Sequence, residues 1–125
     1  MTPKEEIESG IKNKFGQLRK NVSVFETTTA LDLTNISKGI LIIYSFWSGR
    51  ALYNVYNTLD MLYKSNYQGQ IIVLDHDGIS EEFQKTNFGQ LCEGWGEIFS
   101  IDLGIITESY WGRESFEKFK QTYQG

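Results

Sequence analysis

The sequence predicts an α/β fold: a three-layer sandwich with a mixed central sheet, plus an extra amphipathic helix at the N-terminus. Three observations carry this. Ile40 to Phe46 and Gln70 to Leu74 are β-branched and aromatic runs without polar alternation, as strands buried on both sheet faces require. Between them Ala51, Leu52, Val55, Tyr56, Leu59, Leu62 and Tyr63 recur at helical spacing, so the three segments form a βαβ unit. Residues 97–101 and 105–111 flank the turn Asp102-Leu103-Gly104 and read as an antiparallel hairpin, which makes the sheet mixed.

The remaining elements follow in chain order. Thr2-Pro3-Lys4-Glu5 is a capping box with proline at the first helical position, and Ile7, Ile11, Phe15 and Leu18 put one apolar face on a helix expected to end near Lys20-Asn21. Val22-Ser23-Val24-Phe25 is a short strand, and the threonine-rich stretch from Thr27 to Asp32 opens a short irregular helix closed at Gly39. Asp75-His76-Asp77-Gly78 is a turn. Ser80 then caps a third helix, whose first turn carries Glu81 and Glu82 at the favoured end of the dipole while Ile79 and Phe83 face inward. Ser115 to Gln124, with Phe116, Phe119 and Tyr123 at helical spacing, forms the last helix. One domain, 1–125, is expected, with residues 1–21 as its N-terminal helix and 22–125 as its core.

Composition excludes several functions. A net charge of −4 with scattered Lys and Arg does not suit a nucleic-acid binder, which needs clustered bases against phosphate. No apolar run approaches the roughly 20 residues of a membrane span. The polar, acidic start lacks the basic-then-apolar pattern of a signal peptide, and the single cysteine, Cys92, cannot form an internal disulfide, so a cytoplasmic protein is expected. Neither a glycine-rich phosphate loop nor a Gly-x-Ser-x-Gly elbow nor a His-Glu-x-x-His pair is present, and no catalytic, cofactor or metal-ligating set is assigned. His76 between Asp75 and Asp77 invites a metal or catalytic reading, but sequence neighbours point in different directions and seldom enclose an ion. Cys92 reads as a packed thiol, with Glu93 beside it to raise its pKa, away from the expected active-site edge.

The element order resembles the thioredoxin topology preceded by one helix. Locally, Ile40 to Phe46 followed by Trp47-Ser48-Gly49-Arg50-Ala51 resembles the thioredoxin strand that runs into Trp-Cys-Gly-Pro-Cys at the start of a long helix. Trp47 and Gly49 match, whereas Ser48 and Ala51 stand at the cysteines and Arg50 at the proline. Gly104 and Gly112 bracket the last strand at the family's spacing, which places Gly96 where thioredoxins carry a cis-proline. An ordinary trans peptide is expected there, since a cis non-proline bond costs about 3 kcal/mol. A doubly wound or ferredoxin-like sandwich is the alternative threading of the same elements.

Disulfide exchange needs a thiolate at the helix start and a second thiol to resolve the mixed disulfide. Ser48 and Ala51 supply neither, so the resemblance implies a thioredoxin-like protein that is not a disulfide oxidoreductase. Trp47, Trp95 and Gly96 then converge beside the former active-site groove, and Trp and Tyr are the residues that binding hot spots favour. The expected function is a non-catalytic module whose partner-binding residues are Trp47, Ser48, Arg50, Trp95 and Gly96. Its partner is another protein: an inhibitor or bacterial immunity protein facing a basic target, or an adaptor, fits a small acidic domain, and a homodimer through the same aromatic patch fits the same residues. The alternative is a glutathione- or small-thiol-binding protein that uses the Ser48 hydroxyl at the helix N-terminus.

Overall fold

A computed structural model describes residues 1–123. Helix α1 (Pro3–Phe15) starts at the expected capping box: Thr2 Oγ1 accepts from the Glu5 N–H at 3.1 Å, and the Glu5 carboxylate accepts from the Thr2 N–H at 3.0 Å. It ends five residues before the expected Lys20. Gly16 takes the left-handed conformation at φ 81° and returns its N–H to the Lys12 carbonyl, a closure glycine makes without steric cost. Leu18 still packs on the core, from the connection after the helix.

Strand β1 (Val22–Phe25) follows. The helix expected between Thr27 and Gly39 is reduced to one 3-10 turn, Leu33–Asn35. Asp32 accounts for this, because its carboxylate takes the Thr34 N–H at 3.0 Å and the Thr34 hydroxyl at 2.6 Å, a local closure that competes with a longer helix. Then come β2 (Lys38–Tyr44), α2 (Gly49–Lys64), β3 (Gln70–Asp75), a 3-10 turn at His76–Gly78, α3 (Glu81–Phe88), β4 (Ile98–Asp102), β5 (Ile105–Tyr110) and α4 (Ser115–Thr122). The last helix stops at Thr122, and Gln124 lies outside the described residues.

The five strands form one mixed sheet in the order β1-β3-β2-β4-β5. β3 pairs in parallel with β1 and β2, with Ile42 opposite Val73. β4 pairs antiparallel with β2 and β5, with Ile42 opposite Ile98. β2 is therefore central, and its run Ile40 to Tyr44 is buried throughout, as the missing polar alternation required.

Period-2 alternation divides the core into two layers. Ile40, Ile42, Tyr44, Ile71, Val73 and Ile98 meet α1 through Ile7 and Ile11, α2 through Val55, Leu59 and Leu62, and α4 through Phe119. Leu41, Ile43, Ile72, Leu74, Phe99 and Ile101 face the other way, toward Leu33, Ile36 and Ile79 and the α3 residues Phe83 and Phe88. The N-terminal helix thus docks on the sheet beside α2. No helix among the described residues is long and apolar enough to cross a membrane.

Candidate functional site

The C-terminal ends of the central parallel strands, where α/β folds place their ligands, carry the residues singled out from the sequence. β2 ends at Tyr44, and Trp47 projects from the short connection to α2 with 60% of its surface exposed. Its ring is seated rather than free. His76 meets it edge-on with centroids 5.6 Å apart, and Gly94 lies beneath it so closely that any Cβ there would collide with the indole. Gly94 also has φ 87°, so glycine is required twice over.

Ser48 is the N-cap of α2. Its Oγ accepts from the Ala51 N–H at 3.1 Å, and its carbonyl accepts from Leu52 N at 3.0 Å. Arg50 clamps α2 to α4 and the turn before it: Nε donates to the Arg113 carbonyl at 2.6 Å, one NH2 group meets Glu117 Oε1 at 2.9 Å, and the guanidinium lies over the Tyr53 ring at 4.4 Å. Tyr53 completes the clamp by donating to Glu117 Oε2 at 3.0 Å.

Trp95 is half-buried on the far side of the same loop, with Arg113 over its ring at 5.2 Å. Gly96 is buried at φ 81°, and a Cβ there would sit 2.8 Å from the Ala51 carbonyl oxygen. There is no cis peptide bond among the described residues, and the Gly96 carbonyl accepts from Ser115 Oγ at 2.7 Å. Of the five sequence-assigned residues, Trp47 alone offers most of its side chain to a partner. Ser48 and Arg50 spend theirs inside the chain, and Gly96 spends its carbonyl there.

Cys92 lies closer to this face than expected, beside His76, which meets Trp47. His76 Nε2 is 3.3 Å from the Cys92 carbonyl, which can only accept, so the contact selects the tautomer protonated at Nε2. The Cys92 thiol is pushed well above its ordinary value by burial and, second, by the Glu97 carboxylate, not by Glu93. A thiol so displaced stays protonated and inert. Among the described residues no group of three or more His, Cys, Asp or Glu could hold a metal ion.

Two residues that build the site carried no functional weight in the sequence reading. Asn54, fully buried on α2, donates to the Trp95 carbonyl at 2.6 Å and the Arg113 carbonyl at 3.0 Å, while its Oδ1 receives the Phe116 N–H at 3.4 Å. Glu97, also fully buried, uses Oε2 to accept the N–H groups of Glu93 at 3.1 Å and Trp95 at 3.3 Å. An asparagine inside the apolar stripe of α2, and a glutamate leading directly into Ile98 and Phe99, were the available signals. A cleft of about 700 Å³ lies elsewhere, at the opposite end of the sheet, against Lys38, Tyr67, Ser100, Thr107, Tyr110 and Tyr123. None of the sequence-assigned residues lines it.

No family model matches the chain, and no curated protein matches it. Among solved structures it is similar to the reduced form of desulfothioredoxin from Desulfovibrio vulgaris Hildenborough, with 17% identity and a TM-score of 0.60 over 81% of this chain and 95% of that one. It is likewise similar to Plasmodium falciparum thioredoxin, with 16% identity and a TM-score of 0.59 over 79% of this chain and 93% of that one. Fasciola hepatica thioredoxin gives 12% identity and a TM-score of 0.53 over 94% and 88%. The chain therefore has a thioredoxin-like fold. Within that fold it has one cysteine, Cys92, and so no Cys-x-x-Cys motif; Trp47-Ser48-Gly49-Arg50-Ala51 occupies the turn into α2.

Proposed function

We propose that this chain is a redox-inactive, thioredoxin-like module that binds another protein through the face around Trp47. The exposure of the Trp47 indole carries the reading. A ring 60% exposed, yet held on one side by Gly94 and at its edge by His76, offers a large apolar surface whose rotamer is already fixed, so little entropy is lost when a partner covers it. Trp95, half-buried with Arg113 over its ring, is the next aromatic of this loop that a partner could reach.

Redox inactivity follows from the residues at the turn: a serine and an alanine cannot exchange disulfides, and the one thiol is half-buried with its pKa raised by desolvation, so it stays protonated. The acidic balance of the chain favours a basic partner, which suits an inhibitor, an immunity protein or an adaptor. The small-thiol alternative built on Ser48 has less support, because that hydroxyl is already used as the helix cap.

The test is affinity capture from the native host's lysate with wild type beside Trp47→Ala, read by mass spectrometry. Arg50 is left intact because its loss would loosen α2 from α4. A protein retained by wild type and lost with Trp47→Ala, while the variant's melting temperature stays within a few degrees, supports the module and names its target. Equal capture by both proteins overturns the Trp47 face.

A further inference from the structure

The most unusual chemistry in the molecule lies beneath this face rather than on it. Among the buried side-chain polar atoms described, two have no hydrogen-bond partner within the protein: Ser45 Oγ and Glu97 Oε1, both on residues with no exposed surface. They belong to one place. The Ile43 N–H donates to the Glu97 carbonyl at 2.9 Å, extending the β2–β4 ladder one pair beyond Ile42 and Ile98 and setting Ile43 opposite Glu97. Tyr44 and Phe46 pack on the α1 and α2 side, so Ser45 between them faces the α3 side, as Ile43 does. Ser45, one residue past β2, and Glu97, one residue before β4, thus lie on the same side of the sheet at the ends of neighbouring strands; diagonal residues of paired strands are roughly 7–8 Å apart, a gap that one small bridging group between polar side chains can span.

The Glu97 carboxylate is turned toward the 93–95 loop, where Oε2 accepts the N–H groups of Glu93 and Trp95, and Oε1 is left without a partner. Leaving a buried carboxyl oxygen and a buried hydroxyl without a hydrogen-bond partner is costly, because each has lost its water without gaining a replacement. Proteins relieve such pairs with ordered water, which donates to the carboxylate oxygen and still accepts the hydroxyl proton. No cationic side chain forms a salt bridge with Glu97 among the described residues, so a neutral donor has to supply the missing bond.

We propose that Ser45 Oγ and Glu97 Oε1 form a binding site for a single internal water molecule, which anchors Glu97 and through it the 93–95 wall of the Trp47 face. The site does not depend on that face having a partner. Glu97 is here a positioning residue: its other oxygen holds two loop amides, and the water fixes the carboxylate that holds them.

The experiment is a crystal structure of the full chain at a resolution that shows ordered solvent, together with amide hydrogen exchange of wild type and Ser45→Ala. Solvent density within 3.2 Å of both atoms is expected by hydrogen-bond geometry. Ser45→Ala, a small change that keeps the fold, should speed exchange of the Glu93 and Trp95 amides by about tenfold while leaving the β2 amides unchanged. A direct Ser45–Glu97 hydrogen bond, a site filled by side chains, or unchanged Glu93 and Trp95 exchange overturns the proposal. Binding experiments on Trp47 do not enter it, so either reading fails alone.

Discussion

The two faces of the sheet are built by different means. On one, three helices lay Ile7, Ile11, Val55, Leu59, Leu62 and Phe119 over the strands, and apolar burial does most of the work. On the other, the eight-residue α3 and long connections cover the same strands, and buried polar side chains tie the covering chain down. Gln84 illustrates this: its Oε1 accepts the Cys92 N–H at 2.6 Å and its Nε2 donates to the Ile79 carbonyl at 3.3 Å. Glu97, His76 and Asp75 play the same part around it. A loop has backbone groups that need partners, so where helices are scarce, polar side chains must be buried to provide them. The Trp47 face lies at the edge of the polar-tied layer.

The sharpest test of that contrast is its apolar base line. Phe99, fully buried and stacked on Phe88 at 4.1 Å, anchors the thinner layer, and Leu59, equally buried, anchors the thicker one. Phe99→Ala should cost about 3–5 kcal/mol and Leu59→Ala about 2–5 kcal/mol by urea denaturation. A cost below about 1 kcal/mol for Phe99→Ala would mean the thin layer is not a packed core at all.

Next in size is the polar tie from α2. Asn54→Ala strands the Trp95 and Arg113 carbonyls and should cost about 2–3 kcal/mol, with the added signature of faster exchange at the Phe116 amide. If Asn54→Ala and Asn54→Leu melt alike with wild type, the bonds are dispensable and packing alone holds the loop.

The smallest effect concerns Asp75. Burial raises its pKa above the ordinary 3.8, outweighing the Asp77 N–H that its Oδ1 accepts at 3.2 Å. The folded chain then holds this proton to higher pH than the unfolded chain does. Stability is lost as pH rises past the ordinary value and levels off once the raised value is passed. Asp75→Asn keeps the acceptor and removes the charge, so it should be the more stable protein above that range and lose its advantage toward pH 3. A pH-independent difference between the two, measured by thermal melts from pH 3 to 7, would show that Asp75 titrates alike in both states.

Much of the site was legible because its signals are local. The Thr2 and Ser48 caps need only their own next three residues. Trp47 beside Ser48, Gly49 and Arg50 fell in the connection after the best strand, which is where the structure leaves it exposed. Other placements lay beyond the reach of local signals. Arg50 was placed in the binding face because Glu117, 67 residues away in sequence, cannot be known as its partner before α4 docks on α2. Cys92 was set apart from the site because its position depends on His76 reaching its carbonyl across the ends of two elements.

The sequence by itself determined the sheet and its helices: the period-2 and period-3.6 apolar patterns, the caps and the turn glycines are written in neighbouring residues, and a single cysteine removes internal disulfide chemistry without any structure. Only the tertiary structure decided which polar residues are buried and what they hold. The positions of Asn54 and Glu97 beside apolar residues hint at burial, but for these two and Gln84 nothing along the chain names the partners; they become ties because the fold brings distant backbone groups against them, and a hydrogen bond across the fold leaves no trace in sequence spacing.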